Sequence, residues 1–324
     1  MSFNEYYFNK ASEQIEQQRM LNRNEESRRH AEVCSRIPEY AQLEGILADT
    51  SSELIMLMLK KEDGRSEQLK QLEKNNLSIQ RNMQALLQKG GFPADYLDRI
   101  YTCPKCRDKG TYDGKWCECF RRKMLNVAAE ELNSVSPLKL SDFDSFRLDL
   151  YSDEKDQMLG TSHREFMKRN LDFCRSYAEQ FTTSSEGIFM NGGTGLGKTH
   201  LSLAIANEVL KRGFNVVYGS VPELLRILDR EFFGRSDENT MVPLTECDLL
   251  ILDDLGAEME KPLYTSLVYE LINTRTNRGL PTIVNSNLGV NDLKTRYQDR
   301  IWSRLFSFEV LMFVGQDVRR KINR

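Results

Sequence analysis

At 324 residues the chain is long for one hydrophobic core and comfortable for two domains. Its 45 basic and 48 acidic side chains leave a net charge of −3, which excludes a global basic field for nucleic acid but not a local basic groove. The opening "MSFNEYYFNKASEQ" has no apolar signal core and no stretch approaches the roughly 18 apolar residues of a membrane span, so a soluble, cytoplasmic chain without a membrane partner is expected.

Residues 1–90 have almost no Gly or Pro and are rich in Glu, Gln, Lys, Arg, Leu and Met. Three helices are predicted near 9–35, 39–61 and 66–89. The third carries Leu69, Leu72, Asn76, Ile79, Met83 and Leu86, a two-heptad seam with a polar register-setting Asn. An antiparallel hairpin or small bundle is the expected packing, and "KGGFPADY" ends the region.

Residues 99–125 hold four of the seven cysteines, Cys103, Cys106, Cys117 and Cys119, as C-x-x-C and C-x-C around the Gly-rich "DKGTYDGK". In an intracellular protein a tight thiol cluster favours a metal over a disulfide framework. Four thiolates would close a tetrahedral zinc shell, leaving no open position, so the Zn²⁺ is expected to be structural. A redox C-x-x-C normally opens a helix after a strand, and no strand precedes this pair. A helix from 124 to about 150 gives way to a mixed stretch, and 126–159 reads as a linker.

From about 160 the pattern alternates strands and helices. Apolar runs "GIFMN", "NVVYGS", "DLLILDD" and "PTIVNSN" are separated by helical stretches at 198–211, 222–232 and 262–278, the pattern of a parallel sheet covered on both faces. Between the first run and its helix, "GGTGLGKT" matches the phosphate-loop pattern with Gly192, Gly193, Thr194, Gly195, Leu196, Gly197, Lys198 and Thr199. Its glycines let backbone N–H groups curl round phosphate oxygens at a helix N-terminus. Lys198 is expected at the β/γ-phosphates and Thr199 on Mg²⁺. "LLILDDLGAE" places Asp253 at the end of a buried strand as the second Mg²⁺ carboxylate. Asp254 stands where a Glu that polarises the attacking water is commonest; being one methylene shorter, it predicts slow hydrolysis. The strand–helix unit 215–232 between the two motifs predicts that another strand is inserted between the phosphate-loop and Asp253 strands.

Asn287, ending "TIVNSN", could reach the γ-phosphate or simply cap a strand. Arg300 and Arg304 in "QDRIWSRLF", and Arg319 in "GQDVRRK", could serve the same nucleotide or be solvated charges. "LLRILDREFFGR" interleaves Arg226, Arg230 and Arg235 with Phe232 and Phe233, which suits single-stranded nucleic acid. The same pattern also suits an amphipathic helix with core phenylalanines.

Together "GGTGLGKTHL", "LLILDDLGAE", "TIVNSNL" and "RIWSRLF" resemble the AAA+ ATPase domain of bacterial replicative helicase loaders of the DnaC/DnaI type, a domain shared by IstB-type transposition helpers. The resemblance covers about 150–324. The upstream helices with the cysteine module resemble loaders of clostridial-type bacteria, and IstB-type proteins usually lack that module. It implies Asn287 as sensor 1, Arg319 as sensor 2, and Arg304 as an arginine finger acting in trans with Arg300 as accessory. Self-association would then switch the site on. Only five residues follow Arg319, which predicts a reduced or absent helical lid.

The expected architecture is therefore an α/β P-loop AAA+ domain at 160–324, a parallel sheet between helices. An all-α partner-binding region at 1–98 and a zinc module at 99–125 precede it. The expected function is ATP-dependent loading of a hexameric replicative helicase onto single-stranded DNA. The alternatives are a transposition or phage-replication helper ATPase, a nucleotide-gated adaptor with negligible hydrolysis, and, in another class, a small-molecule P-loop kinase.

Overall fold

A computed structural model describes residues 5–59, 65–135, 140–236 and 239–319. The chain divides into two compact units: Ser12–Phe120, and the chain up to Ala11 taken with everything from Arg121 onward.

The absence of helix breakers gives three long helices, α1 (Glu5–Arg36), whose residues from Ser12 onward belong to the first unit, and α2 (Pro38–Leu59) and α3 (Arg65–Lys89), which lie wholly in it. Their core is the cluster of Val33, Ile37, Tyr40, Met83, Leu87 and Phe92. The expected seam is present, with Leu72 and Met83 buried and Leu69, Asn76, Ile79 and Leu86 half-buried. Among the described residues Asn76 Oδ1 has no hydrogen-bond partner, so the seam's polar position costs stability as a register device does. A two-residue hairpin follows, β1 (Thr111–Tyr112) with β2 (Lys115–Trp116). Its turn, Asp113–Gly114, has φ of 50° and 70°, the left-handed pair that an Asp-Gly hairpin turn demands. The helices and the cysteine segment, read from sequence as separate modules, pack as one unit because α1 holds the cysteine loop. Buried Asn22 donates to Asp108 at 3.0 Å and to Thr102 at 3.1 Å, and a side chain at Gly110 would press on Ile15 at 3.3 Å.

The second unit is built on five parallel strands, β3 (Ile188–Gly192), β4 (Val216–Ser220), β5 (Leu249–Leu255), β6 (Thr282–Ser286) and β7 (Glu309–Phe313), in the order β4-β5-β6-β3-β7. One face packs on α5 (His163–Gln180) and α6 (Lys198–Lys211). The other packs on α7 (Val221–Phe232), α8 (Met241–Glu246), α9 (Pro262–Asn277) and α10 (Val290–Leu305). Alternate residues explain the two-sided burial: Ile188 and Met190 enter the first cluster and Phe189 the second. A strand does separate the phosphate-loop and Asp253 strands, but it is β6; the intervening 215–232 unit supplies edge strand β4 and helix α7.

The stretch 126–159 does not behave as a free linker where it is described. α4 (Glu118–Val135) sends Ala129 and Leu132 into the second cluster. Phe143, Phe146, Leu150 and Tyr151, in two short 3-10 turns and beside them, join the first. Residues 136–139, and the segment after Arg319 that bears on the lid, lie outside the described residues. Among the described residues no helix is long and apolar enough to cross a membrane.

Candidate functional site

The carboxyl ends of β3, β5 and β6 bring the expected nucleotide residues together, as open parallel sheets do. Between β3 and α6, Gly195 and Gly197 take φ of 76° and 91°, closed to most side chains. A β-carbon at Gly197 would also lie 2.7 Å from the Phe146 ring, so this glycine is required twice over. Lys198 opens α6, is 6 % exposed, and donates to the carbonyls of Gly192 (2.6 Å) and Gly193 (2.8 Å) and to Asn287 Oδ1 (2.6 Å). Burial lowers its pKa to about 8, against the pull of Asp253 and Asp254.

Two consecutive strand residues ordinarily point to opposite faces, yet Asp253 and Asp254 both serve this site. The β5–β6 register slips between Leu252 and Leu255, and Asp254 sits at φ 55°. Such a bulge breaks the alternation and re-aims a side chain, and Asp tolerates the left-handed region better than Glu. Asp253 accepts from Thr199 Oγ1 (3.2 Å), the Tyr218 hydroxyl (2.8 Å) and Asn285 Nδ2 (2.9 Å). Asp254 accepts from Asn287 Nδ2 at 3.0 Å. Burial, then the Asp253 charge, raises the pKa of Asp254, and the same causes raise that of Tyr218. Thr199 and Asp253 offer hard oxygen donors side by side, a set that fits Mg²⁺.

A pocket of about 350 Å³ extends from the phosphate loop. Its walls include Phe146, Leu150 and Tyr151 from the 3-10 region, and Val318 and Arg319 from the C-terminal side. The Tyr151 hydroxyl donates to the Leu196 carbonyl at 2.8 Å, pinning this wall to the loop. An apolar, aromatic wall next to a phosphate cradle suits a nucleotide base. Sequence reasoning missed Phe146, Leu150 and Tyr151; the signal was the aromatic, apolar spacing of "FDSFRLDLY" inside a stretch read as linker.

Arg319 borders this pocket and its guanidinium meets Asp317 at 3.3 Å. Arg300 and Arg304 do not: both lie on α10, and Arg300 lines a separate groove with Glu258, Arg296 and Tyr297. Glu258, also missed, is buried; it accepts from the Gly256 N–H at 2.9 Å and pairs with Arg296 and Tyr297, tying the loop after Asp254 to α10. Phe232 and Phe233 are not core residues. They are 65 % and 60 % exposed, because Val221, Leu224, Leu225 and Leu228 form the buried face of α7. Arg235 lies 5.9 Å from the Phe233 ring centroid.

In the first unit the four expected thiols converge, one sulfur from each lying within 4.8 Å of the others. Cys103 and Cys117 are 3.8 Å apart and Cys106 and Cys119 3.4 Å. Zinc–sulfur bonds of ~2.3 Å in a tetrahedron require sulfurs about 3.8 Å apart, so the set fits one zinc. The Cys106 backbone N–H lowers the Cys103 pKa to about 7, and Asp108 fixes the knuckle by accepting from the N–H groups of Thr102 (2.9 Å) and Cys103 (2.7 Å).

Residues 163–306 match the family model described as IstB-like ATP binding protein. The replicative helicase loader DnaC of Escherichia coli K12 is 27 % identical over 137 residues, 42 % of this chain and 56 % of that protein. The replicative helicase loader DnaI of Bacillus subtilis is 31 % identical over 127 residues, 39 % of this chain and 40 % of the relative. The chain thus spans about half the length of the curated relatives it matches. A solved structure of the DnaC helicase loader overlays with a TM-score of 0.46 at 21 % identity, covering 54 % of this chain and 97 % of that one. The similarity to an IstB-like ATP binding protein thus lies within residues 163–306, less than half of this chain.

Proposed function

We propose that this chain is an ATP-controlled loader of a ring-shaped replicative helicase. The observation that carries the reading is the convergence of Lys198, Thr199, Asp253, Asp254 and Asn287 in a domain whose similar curated proteins are named replicative helicase loaders. In this reading the phosphate-loop N–H groups and Lys198 bind the ATP phosphates. Thr199 and Asp253 hold Mg²⁺, which neutralises charge on the phosphates when bound. Asp254 orients the attacking water and accepts its proton, while Asn287 fixes both Asp254 and Lys198. Burial keeps Asp254 a better base than a solvated carboxylate, but its short, bulge-held side chain makes hydrolysis slow.

Arg304, assisted by Arg300, completes the site of a neighbouring copy rather than its own, so assembly switches turnover on. Arg319 senses the nucleotide in cis. Exposed Phe232 and Phe233 with Arg226, Arg230 and Arg235 contact single-stranded DNA by stacking and phosphate pairing. The helical unit, with zinc on Cys103, Cys106, Cys117 and Cys119, grips the helicase, and the protein works in the cytoplasm.

The IstB-like match favours one second reading, an ATPase that serves a transposase. Capture from the host lysate by the full-length chain, with bound proteins identified by mass spectrometry, separates the two. The loader reading expects the replicative helicase; a transposase in its place overturns it.

A further inference from the structure

On α1, His30 and Cys34 are four residues apart and therefore share one face. Glu44 of α2 reaches the same point across the Arg36–Pro38 junction. Its two oxygens lie 2.9 and 2.7 Å from His30 Nε2. Cys34 Sγ lies 3.7 Å from that nitrogen and 3.9 Å from Nδ1, at the long end for hydrogen bonds of sulfur. A His–Glu ion pair accounts for two of these groups and leaves the thiol with only these long contacts.

One ligand atom from each of the three lies within 4.8 Å of the others. A tetrahedral zinc held by nitrogen, sulfur and oxygen sets N and S about 3.6 Å apart and N and O about 3.3 Å apart. The Sγ–Nε2 separation has that length, but Sγ stands almost as near Nδ1, to the side of the Nε2 lone pair, so occupancy requires a side-chain rotation of Cys34 or His30. The N···O separations are shorter because imidazole and carboxylate hydrogen-bond directly.

We propose that His30, Cys34 and Glu44 form a second transition-metal site of the zinc class, separate from the four-cysteine cluster. Its chemistry differs from that cluster in two ways. Three protein ligands leave a position for water, and the side chains of His30 and Glu44 are each 45 % exposed, so the ion exchanges with solvent. Binding displaces the Cys34 thiol proton to solvent, moves the His30 Nε2 proton to Nδ1 (or, from the imidazolium, to solvent), and replaces the direct His–Glu hydrogen bond with two metal bonds. The occupied site ties α1 to α2 beside the Val33, Ile37 and Tyr40 core. Metal occupancy therefore sets the stiffness of the helical unit's elbow.

The test is zinc stoichiometry and Co²⁺ absorbance of the full-length chain, wild type against Cys34→Ser, His30→Ala and Glu44→Gln. Wild type equilibrated at micromolar free zinc is expected to hold two equivalents, and Cys34→Ser and His30→Ala one. Glu44→Gln is expected to need at least tenfold more free zinc for the second equivalent. The second Co²⁺ equivalent should add a thiolate charge-transfer band in wild type that Cys34→Ser lacks. Zinc-free melts of the variants that match zinc-free wild type show that folding is intact. If Cys34→Ser does not fold, His30→Ala and Glu44→Gln, which keep the thiol, decide the matter. A single equivalent on wild type, or an undiminished second equivalent on all variants, overturns the proposal.

Discussion

The phosphate loop and the cysteine knuckle solve the same problem, holding a charged guest, by opposite means. At the loop a parallel sheet does the positioning: Lys198 opens α6 just after β3, and Asp253 and Asn287 stand at the carboxyl ends of β5 and β6, over cores that are complete without any guest. At the knuckle no sheet larger than a two-residue hairpin supports the four thiols, which Asp108 and Asn22 hold from outside. The lesson is that one guest is bound by a fold, whereas the other contributes to making one.

Chelation breaks this comparison with the largest expected effect. Structural zinc contributes on the order of 10–16 kcal/mol to small sites. Stripping it, or Cys106→Ser, should therefore melt the cysteine segment in circular dichroism and hydrogen exchange. ATP binding by the second unit should persist. Loss of both together would show that the guests are not independent.

Arg304→Ala comes next, with an expected loss of about 10³-fold or more in assembled turnover. Nucleotide affinity of the monomer should change little. Mixing this variant with Lys198→Ala should restore activity, each copy supplying what the other lacks. Asp254→Asn keeps a side chain tolerated at φ 55° and removes the carboxylate, so turnover should fall ~10²-fold with ATP affinity nearly unchanged.

The smallest effect is a matter of pH. Burial lowers Lys198 from its ordinary 10.5 to about 8, so the ligand-free protein loses this cation as pH rises through 8. ATP affinity should then fall, by up to about tenfold per pH unit, while the stability of the ligand-free protein rises between pH 8 and 10.5. The stability rise follows because the unfolded lysine still binds its proton over that window. Lys198→Met should flatten both curves in paired calorimetric titrations and melts.

How much of this could be read from the sequence depends on how local the cause is. The phosphate loop, the apolar run leading into Asp253 and the thiol spacing are local patterns, and the structure brings each set together. The heptad seam of α3 was readable for the same reason. Asp254 was identified, but its bulge was not, because register slip depends on the pairing of β5 with β6. Phe146 and Tyr151 carry only a weak signal, the apolar spacing of "FDSFRLDLY" in a stretch with the composition of a linker; packing against Gly197 and Leu196 gives them their place. Glu44 meets His30 from another helix, a coincidence of tertiary structure that no spacing records. Conversely, "EFFGR" allowed two readings, and the exposure of both phenylalanines removed the core one.

The central claim is that ATP on this chain governs delivery of a ring helicase to DNA. The most direct measurement is retention of the purified replicative helicase on circular single-stranded DNA, which offers no end to thread. The account predicts retention that requires this chain and ATP, with Lys198→Ala failing to support it. Equal retention without the chain, or with Lys198→Ala in its place, would contradict it.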